Sequence, residues 1–302
     1  MIRTYALEPD VASDGMAFAT FVQGLGIENG RLMAAFPRSW FKTANSQLHN
    51  VHSVRDRTRI TELLKCLQTD GLVKARTGLP YEGHQSWLDN AIRHIDRFDA
   101  VICADHPDNR PEHPQLHPAS ALFDNPAFWK VDRRITFTAN RGKLAQLLQP
   151  LFLLDSHVAI MDPFFNPKEQ GYLDGLLDIV NALPQPTPLV IHTSGEVAAG
   201  NRPLSTEEWE DTCRATLTTH IERLGNLLIV RWASRDSTGR PHERWVITPR
   251  GGIELGRGIA VGRYENTATL LPGQTAAQLW EEFGQSPFSA ARYELRDTVE
   301  VC

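Results

Sequence analysis

The residue types best suited to chemistry lie between His242 and Gly258, where a histidine is followed two positions later by an arginine and then by a glycine-rich stretch. An alternating strand would place His242, Arg244 and Val246 on one face, because successive strand side chains point to opposite sides of a sheet. An imidazole can attack phosphorus or transfer a proton, and a guanidinium can bind two phosphate oxygens at once. The spacing therefore predicts a phosphodiester site, although an edge strand with solvated charges would explain the same residues.

Arginine is concentrated around this motif. Between Arg231 and Arg263 the chain carries seven arginines and only three carboxylates, although its formal net charge is −5. Arginine suits bidentate phosphate contact better than lysine does, so the segment predicts a local phosphate site rather than a surface that coats nucleic acid or a membrane. An exposed hairpin held by ion pairs is the alternative. The candidate phosphate ligands are Arg244, Arg250, Gly256, Arg257 and, from an earlier turn, Ser194.

Length and composition indicate the class of protein. The chain has 302 residues, enough for one large domain or two ordinary ones, and its 41% hydrophobic and 22% charged residues are typical of a soluble globular protein. The four cysteines form no C-x-x-C pair, so we expect no disulfide, no zinc site and no cofactor. The chain shows no signal peptide and no apolar run of the roughly 20 residues that a membrane span requires. We therefore expect a cytoplasmic protein.

The first 130 residues are predicted to be a mainly helical region. Apolar residues recur at helical spacing at Ile60, Leu63, Leu64 and Leu67. A second helix is expected over residues 86–97, followed by a short strand over residues 100–103. Residues 72–76 could form the strand of a DNA-binding winged helix, although ordinary helix-to-loop packing explains them as well. Protein partners would bind this N-terminal region.

From residue 131 to residue 302 the pattern changes to alternating strands and helices. Strands are expected over 134–138, 157–161, 188–192 and 227–232, with helices over 142–154 and 173–183. A third helix begins at a capping box formed by Ser205 and Glu208, and the last begins at Thr275 and ends at Gly284. This order predicts an α/β domain whose mostly parallel or mixed sheet has helices on both faces. Asp162 and Ser194 follow strands at the edge where such sheets bind ligands.

A loop rich in proline and histidine spans residues 105–118. It offers the residue types of a metal site, but on an irregular spacing that favours a solvated surface loop. The histidines are His106, His113 and His117, and the carboxylates are Asp105, Asp108 and Glu112.

The arrangement of these motifs resembles the phospholipase D superfamily. A strand ending in Asp162-Pro163-Phe164-Phe165 is followed by helices and strands, and then by His242-x-Arg244 ahead of Gly251-Gly252 and Leu255-Gly256-Arg257-Gly258. The chain looks most similar to the single-motif phospholipase-D-like domain found at the C-terminus of MIT-domain proteins. The resemblance covers about residues 130 to 270. It implies a phospholipase-D-like α/β fold and a histidine that attacks phosphorus without a metal ion.

The chain departs from the catalytic pattern of that superfamily at three points. Arg244 stands in place of the motif lysine, Pro249 occupies the position of the motif aspartate, and no second His-x-Lys or His-x-Arg pair is present. Asp162 is the candidate replacement for the missing acid, so the candidate catalytic residues are His242, Arg244 and Asp162. The second histidine would come from another copy across a two-fold axis, or from His157 or His192, which are more often structural.

Three functions remain open. The first is a degenerate phospholipase-D-like module that binds phosphodiesters, nucleic acid in particular, as an accessory subunit of a larger bacterial assembly. The second is a homodimeric, metal-independent phosphodiesterase or nuclease with a histidine nucleophile, although we do not favour a homodimer. The third is a scaffold for protein interactions. The sequence does not distinguish DNA, RNA and lipid as the source of the phosphodiester.

Overall fold

The computed structural model divides the chain into two compact units, Met1–Asp132 and Arg133–Cys302. It describes residues 1–69, 73–75, 79–105, 112–155, 157–183, 187–195, 198–199, 202–220, 226–234, 241–286, 288, 290 and 292–301. The sequence had placed a boundary after residue 130. No helix among the described residues has both the length and the apolar composition needed to cross a membrane.

The first unit is built on a parallel sheet with the strand order β3-β2-β1-β4-β5. Its strands are β1 (Arg3–Leu7), β2 (Arg31–Ala35), β3 (Val73–Ala75), β4 (Ala100–Cys103) and β5 (Leu116–Pro118). Helices α1 (Gly15–Gly24), α2 (Trp40–Gln47) and α3 (Val54–Thr69) contribute to the core on one face, and α4 (Trp87–Arg93) contributes to the core on the other.

This sheet corrects the expectation of a mainly helical N-terminal region. Helices are present, but they pack around a parallel sheet of which the sequence indicated only residues 100–103 as a firm strand. The strands were missed because both of their faces are buried: Tyr5 and Leu7 pack into one core while Ala6 packs into the other. Such strands are continuous apolar runs without alternation, and periodicity does not separate them from buried helix.

The second unit contains an eight-stranded mixed sheet with the order β15-β11-β8-β7-β12-β13-β14-β6, counting described residues only. Strands β7, β8 and β11 are parallel, and the remaining pairings are antiparallel. The strands are β6 (Arg134–Thr138), β7 (Val158–Met161), β8 (Leu189–Ser194), β11 (Leu227–Ser234), β12 (Trp245–Thr248), β13 (Gly251–Leu255), β14 (Glu265–Leu270) and β15 (Tyr293–Val301). A separate short pair joins β9 (Ala198–Ala199) to β10 (Arg202–Pro203).

Helices cover both faces of the mixed sheet, which confirms the predicted α/β class. Helix α8 (Gly273–Phe283) packs on the face that carries Trp232 and Trp245. The opposite face is covered by α5 (Lys143–Phe152), α6 (Gln170–Ala182) and α7 (Thr206–Leu217). Helix α6 packs closely against the segment after β13, since a Cβ atom at Gly175 would overlap the carbonyl oxygen of Ile259.

The sequence predicted correctly where a side chain caps the first turn of a helix. The capping box is present, because Ser205 accepts from the backbone N–H of Glu208 while the Glu208 carboxylate accepts from that of Ser205. The prediction for the motif strand was wrong in its bounds: β12 begins at Trp245, so His242 and Arg244 precede it. Gly251 and Gly252 belong to β13 rather than to a turn.

Candidate phosphate-binding site

Asp162 lies at the carboxyl end of β7 and is fully buried. Its Oδ1 accepts from the backbone N–H of Phe164 at 3.1 Å, and its Oδ2 accepts from the backbone N–H of Ile259 at 2.9 Å. The register of β7 with β12 pairs Met161 with Trp245. Asp162, just after β7, and Arg244, just before β12, are therefore neighbours at this edge of the sheet.

The turn from Gly256 to Gly258 closes over this carboxylate. Gly258 has φ +71°, and a Cβ atom there would overlap Asp162 Oδ2 and lie 3.1 Å from Arg244 Cδ. Asn266 holds the turn from the far side, since its Oδ1 accepts from the backbone N–H of Arg257 at 2.7 Å and its Nδ2 donates to the carbonyl of Gly258 at 3.0 Å. Asp162 and Asn266 therefore fix the turn that carries Arg257.

One arginine lies in the turn and another beside it, and each guanidinium lies over an aromatic ring. The guanidinium carbon of Arg244 is 4.8 Å from the ring centroid of Phe164, and that of Arg257 is 5.3 Å from the ring centroid of Tyr264. Arg244 Nη1 also donates to the carbonyl of Gly256 at 3.2 Å. Within the described part of the chain neither side chain has a carboxylate within 4.0 Å. The arginine pair, Arg244 and Arg257, therefore keeps N–H groups available to an anion.

Two tyrosines complete the surroundings of the buried carboxylate. Burial raises the pKa of Tyr172, and the charge of Asp162 raises it further. Burial and the same carboxylate also raise the pKa of Tyr264. The pKa of Asp162 is itself raised to about 6 by burial, against the opposing effects of its two backbone hydrogen bonds and of Arg244. The site thus combines neutral phenols, a carboxyl group that titrates near neutrality and two permanent cations.

His242 is at the exposed rim of this site. Its backbone N–H donates to the carboxylate of Glu243 at 3.1 Å, and its carbonyl accepts weakly from Arg244 Nη1 at 3.5 Å. Glu243 is engaged by the Tyr293 hydroxyl at 3.2 Å and by Arg292. Among the described residues, the imidazole of His242 has no carboxylate partner. No acid in that part of the chain therefore fixes its tautomer, as a partner acid does in histidine-dependent active sites.

Two of the predicted phosphate ligands lie elsewhere. Arg250 is in the turn after β12, at the opposite end of that strand from Arg244, and its Nε lies 3.5 Å from a carboxylate oxygen of Asp155. Ser194 is buried and pairs in register with Trp232. The two side chains therefore share a face of the sheet, the one covered by α8. The structure therefore brings together Asp162, Arg244, Gly256 and Arg257, with His242 at the rim, but neither Arg250 nor Ser194.

The other two candidate histidines are also away from the site. His192 is buried on the opposite face, where Nε2 donates to the carbonyl of Phe283 at 2.8 Å and Nδ1 accepts from Trp232 Nε1 at 3.0 Å. Burial lowers its pKa to about 3, so the ring is neutral and both nitrogens are used. His157 precedes β7, at the opposite end of that strand from Asp162. Neither histidine supplies a second catalytic group.

The arginine-rich segment is not one continuous surface. Arg231 is 0% exposed and pairs with Asp297, so it is internal. Arg235 and Arg240 lie outside the described residues. Among the described arginines of the segment, Arg244 and Arg257 are the two at the site.

No cluster of three potential metal ligands occurs among the described residues. In the proline-rich loop, the His117 ring stacks on Phe128 at 3.7 Å, and His106 and Asp108 lie outside the described residues. The structure therefore adds no support for the metal alternative.

Comparisons with known proteins give little further information. No protein-family model matches the chain, and no curated protein sequence does. Among solved structures, the chain is similar to phosphatidylserine synthase from Haemophilus influenzae Rd KW20 at 13% identity and a TM-score of 0.31. The similarity covers 63% of this chain and 48% of that chain, so it extends over about half of the synthase. At this identity and TM-score it carries no argument about function.

Sequence reasoning missed Tyr172, Tyr264 and Asn266. A signal for Tyr172 was present, because it precedes Gly175, Leu176 and Ile179 at helical spacing, and those three residues form the buried stripe of α6. A residue with a polar tip on such a stripe indicates a partner inside the fold. Tyr264 and Asn266 gave no comparable signal, because their roles depend on the return of β14 beside the glycine turn.

Proposed function

We propose that the second unit binds phosphodiester groups of nucleic acid through Arg244 and Arg257 and does not hydrolyse them efficiently. The main observation is the arginine pair: each guanidinium lies over an aromatic ring, Arg257 in the glycine turn and Arg244 beside it. A contact with an aromatic ring restrains a guanidinium while leaving N–H groups available for hydrogen bonds. Less conformational freedom is then lost when a phosphate binds.

The buried carboxylate supports this arrangement without competing for the ligand. Asp162 is fully buried, and both of its oxygens accept backbone hydrogen bonds. The negative charge of Asp162 attracts the Arg244 guanidinium, but the buried carboxylate is not accessible to a bound molecule. We assign it as a positioning residue for the turn rather than as a nucleophile.

The number and positions of the histidines support binding of a phosphodiester rather than its hydrolysis. Residues 133–302 contain four histidines, at 157, 192, 220 and 242, and only His242 adjoins the arginine pair. Phosphoryl transfer through a phosphohistidine needs a nucleophile on one side of phosphorus and an acid on the other. One copy of this unit supplies one of the two. A chain that holds nucleic acid without cleaving it would serve as an accessory subunit of a larger assembly.

Arginine-to-alanine variants test the proposed site. We expect Arg244→Ala and Arg257→Ala each to weaken binding of a fluorescent single-stranded oligonucleotide several-fold at low salt, because each removes one charge-assisted hydrogen bond to phosphate. The plot of log affinity against log salt should become shallower by about 0.7 for each phosphate group that is no longer neutralised. Fluorescence anisotropy at several salt concentrations measures both quantities.

Arg250→Ala is the matched control. It removes an arginine from the same strand pair, but from the opposite end of β12 and from an ion pair with Asp155. Its affinity and salt dependence should equal those of the unchanged protein. If Arg244→Ala and Arg257→Ala also bind like the unchanged protein, the proposal is wrong.

A homodimeric phosphodiesterase is the second candidate, and one observation favours it. The His242 side chain is exposed at the rim of the site, where a second copy could approach it. A two-fold axis beside His242 would bring two imidazoles to one phosphate. This candidate requires a dimer, whereas the binding function does not.

A further inference from the structure

The first unit carries a cationic surface that the site in the second unit does not explain. Between residues 38 and 59 there are five lysines and arginines and one carboxylate, Asp56. All five cations are exposed, and His49 and His52 beside them are exposed as well. We call Arg38, Lys42, Arg55, Arg57 and Arg59 the α2–α3 cationic surface.

The topology places these residues at the carboxyl edge of the parallel sheet. Arg38 follows β2, and Lys42 lies in the first turn of α2. That turn is attached to the end of β1, because Trp40 Nε1 donates to the carbonyl of Leu7 at 2.6 Å. Helix α3 then runs back toward the start of β3, so its first turns also lie at this edge. The carboxyl edge is where open parallel sheets bind ligands.

None of the five cations has an ion-pair partner in the described part of the chain, where every carboxylate is more than 4.0 Å away. Cations elsewhere are often paired. Arginines with a carboxylate partner include Arg93, Arg97, Arg141, Arg214, Arg231, Arg250 and Arg292. Five cations without ion pairs therefore surround one carboxylate, Asp56, in a chain whose net charge is −5.

The arginines of α3 are placed against the preference of the helix itself. Arg55 and Arg57 lie in its first turn, where the helix dipole favours anions. Arg55 and Arg59 are four residues apart on one face, and like charges at that spacing repel each other. With Asp56 and Thr58 they line a shallow concave surface. An anion bound there would remove both unfavourable terms at once.

We propose that the α2–α3 cationic surface binds the phosphate backbone of nucleic acid, through residues other than the arginine pair of the second unit. Four of its five cations are arginines, which bind phosphate in bidentate geometry. The five cations extend from the segment before α2 to the second turn of α3, and Arg55 and Arg59 are separated by about 6 Å of helix rise. The surface therefore matches a chain of phosphates rather than one anion. Within residues 52–59 the only exposed aliphatic side chain is Val54, whereas a membrane-binding helix has an apolar face.

The test compares two sets of arginines in the full-length protein. The triple variant Arg55→Ala/Arg57→Ala/Arg59→Ala should bind a short fluorescent DNA duplex at least tenfold more weakly at low salt. Its salt dependence should be shallower by about 2 to 3 in log affinity against log salt, since each neutralised phosphate contributes about 0.9. The triple lysine variant at the same positions should retain most of the binding, because the charge is preserved.

Lys65→Ala is the matched control on the same helix. Lys65 is an exposed cation of α3, but it pairs with Glu62 at 2.8 Å and lies two turns away from Arg59. This variant should bind the duplex like the unchanged protein. Circular dichroism and thermal unfolding should show that the triple alanine variant is folded, since all three side chains are exposed.

The outcomes separate this inference from the proposed function. Loss of duplex binding in the triple variant would support the surface on the first unit, and unchanged binding of both the duplex and the single-stranded oligonucleotide in Arg244→Ala/Arg257→Ala would contradict the site on the second. The reverse result would overturn the inference and leave the proposed function in place. Binding of the unchanged protein to phosphatidylserine vesicles but not to the duplex would also overturn it, because the partner would then be a membrane.

Discussion

At the scale of single residues, the central feature of the candidate site is a carboxyl group that is buried without an ion pair in direct contact. Asp162 accepts two backbone hydrogen bonds and faces Arg244, yet burial dominates and raises its pKa to about 6. A surface aspartate would remain ionised through this range. The fold therefore holds a charge that it disfavours, and this charge fixes the turn on which Arg257 lies.

Asp162→Asn should change how the stability of the second unit depends on pH. In the native chain, the rise in pKa from 3.8 to about 6 means that stabilisation by the neutral carboxyl group is complete below pH 3.8 and is lost as the pH rises through 6. The loss amounts to about 3 kcal/mol. The amide cannot ionise, so the variant should gain stability relative to the unchanged protein by up to that amount between about pH 4 and pH 7.

Urea unfolding of both proteins at several pH values measures this difference, with hydrogen exchange of peptides from residues 133–302 identifying the unit that unfolds. Asparagine has one acceptor oxygen where aspartate has two, so one of the two backbone N–H donors would lose its acceptor, which adds a cost that is independent of pH. Only the pH dependence is therefore diagnostic. A difference between the two proteins that stays constant from pH 4 to pH 7 would contradict the assignment.

At the scale of elements, the glycine turn is set by backbone geometry and by close approach together. Gly258 has φ +71°, and Asp162 occupies the space that a side chain would need. Gly142, ahead of α5, has φ +76°, but an added Cβ atom there would meet nothing within 4 Å. The two glycines share the left-handed conformation and differ in their surroundings.

Gly258→Ala should therefore destabilise the second unit more than Gly142→Ala does. The left-handed conformation costs a residue with a Cβ atom roughly 1–2 kcal/mol, and this cost applies to both variants. Gly258→Ala must in addition displace Asp162 or the turn, so it should also weaken oligonucleotide binding. Denaturant unfolding and anisotropy measure the two effects. Equal destabilisation with unchanged binding would show that the turn is not coupled to Asp162.

A second element-scale feature is the buried ion pair between β11 and β15. The Arg231 guanidinium is 0% exposed and hydrogen-bonds both oxygens of Asp297, the carbonyls of Leu204 and Ser205 and the hydroxyl of Thr206. The pair thus ties the edge strand to the start of α7. Removing one partner of a buried ion pair destabilises a protein mainly because the other charge remains buried and unpaired, rather than because the attraction is lost.

Asp297→Ala should lower the free energy of unfolding by about 3–5 kcal/mol, because Arg231 would remain buried without its partner. The double variant Arg231→Met/Asp297→Leu should recover most of that loss. Arg141→Ala, which breaks an ion pair whose arginine is 64% exposed, is the control and should cost no more than about 1 kcal/mol. Chemical denaturation tests all three. An Asp297→Ala variant as stable as the control would refute the buried-pair account.

The sequence predicted elements with clear boundaries and one-sided burial better than buried strands. Residues 134–138 were predicted as a strand and form β6, and the last helix ends at Gly284 as expected. Strands β1 and β2 were missed because burial on both faces removes alternation. For the site, the motif located Arg244 and Arg257. The motif also suggested Arg250, because the sequence does not show that Arg244 and Arg250 lie at opposite ends of β12.

At the scale of the whole molecule, an acidic chain presents two cationic surfaces, one in each unit. The net charge of −5 disfavours general attachment to polyanions, so binding depends on local arrangements of arginine. In the second unit, Arg244 and Arg257 lie at one turn, an arrangement that fits one phosphodiester group. In the first unit, the α2–α3 cationic surface is spread along an edge of the parallel sheet, an arrangement that fits an extended phosphate backbone.

The number of copies in solution separates binding from catalysis. Residues 133–302 provide one histidine beside the arginine pair, whereas double displacement at phosphorus needs two groups on opposite sides. We expect light scattering to give the mass of a monomer, 33.9 kDa. In a Cys66→Ser background, which removes an exposed thiol, His242→Cys should form no disulfide-linked dimer under oxidising conditions.

Arg134→Cys, on the exposed edge strand β6, is the control for random collision and should crosslink no less than His242→Cys. A stable dimer that crosslinks selectively through position 242 would instead place two histidines at one phosphate. In that case the unchanged protein should cleave an activated phosphodiester in the presence of a chelator, since histidine rather than metal-bound water would be the nucleophile, and His242→Ala should abolish the activity. Those results together would replace the binding function with a homodimeric phosphodiesterase.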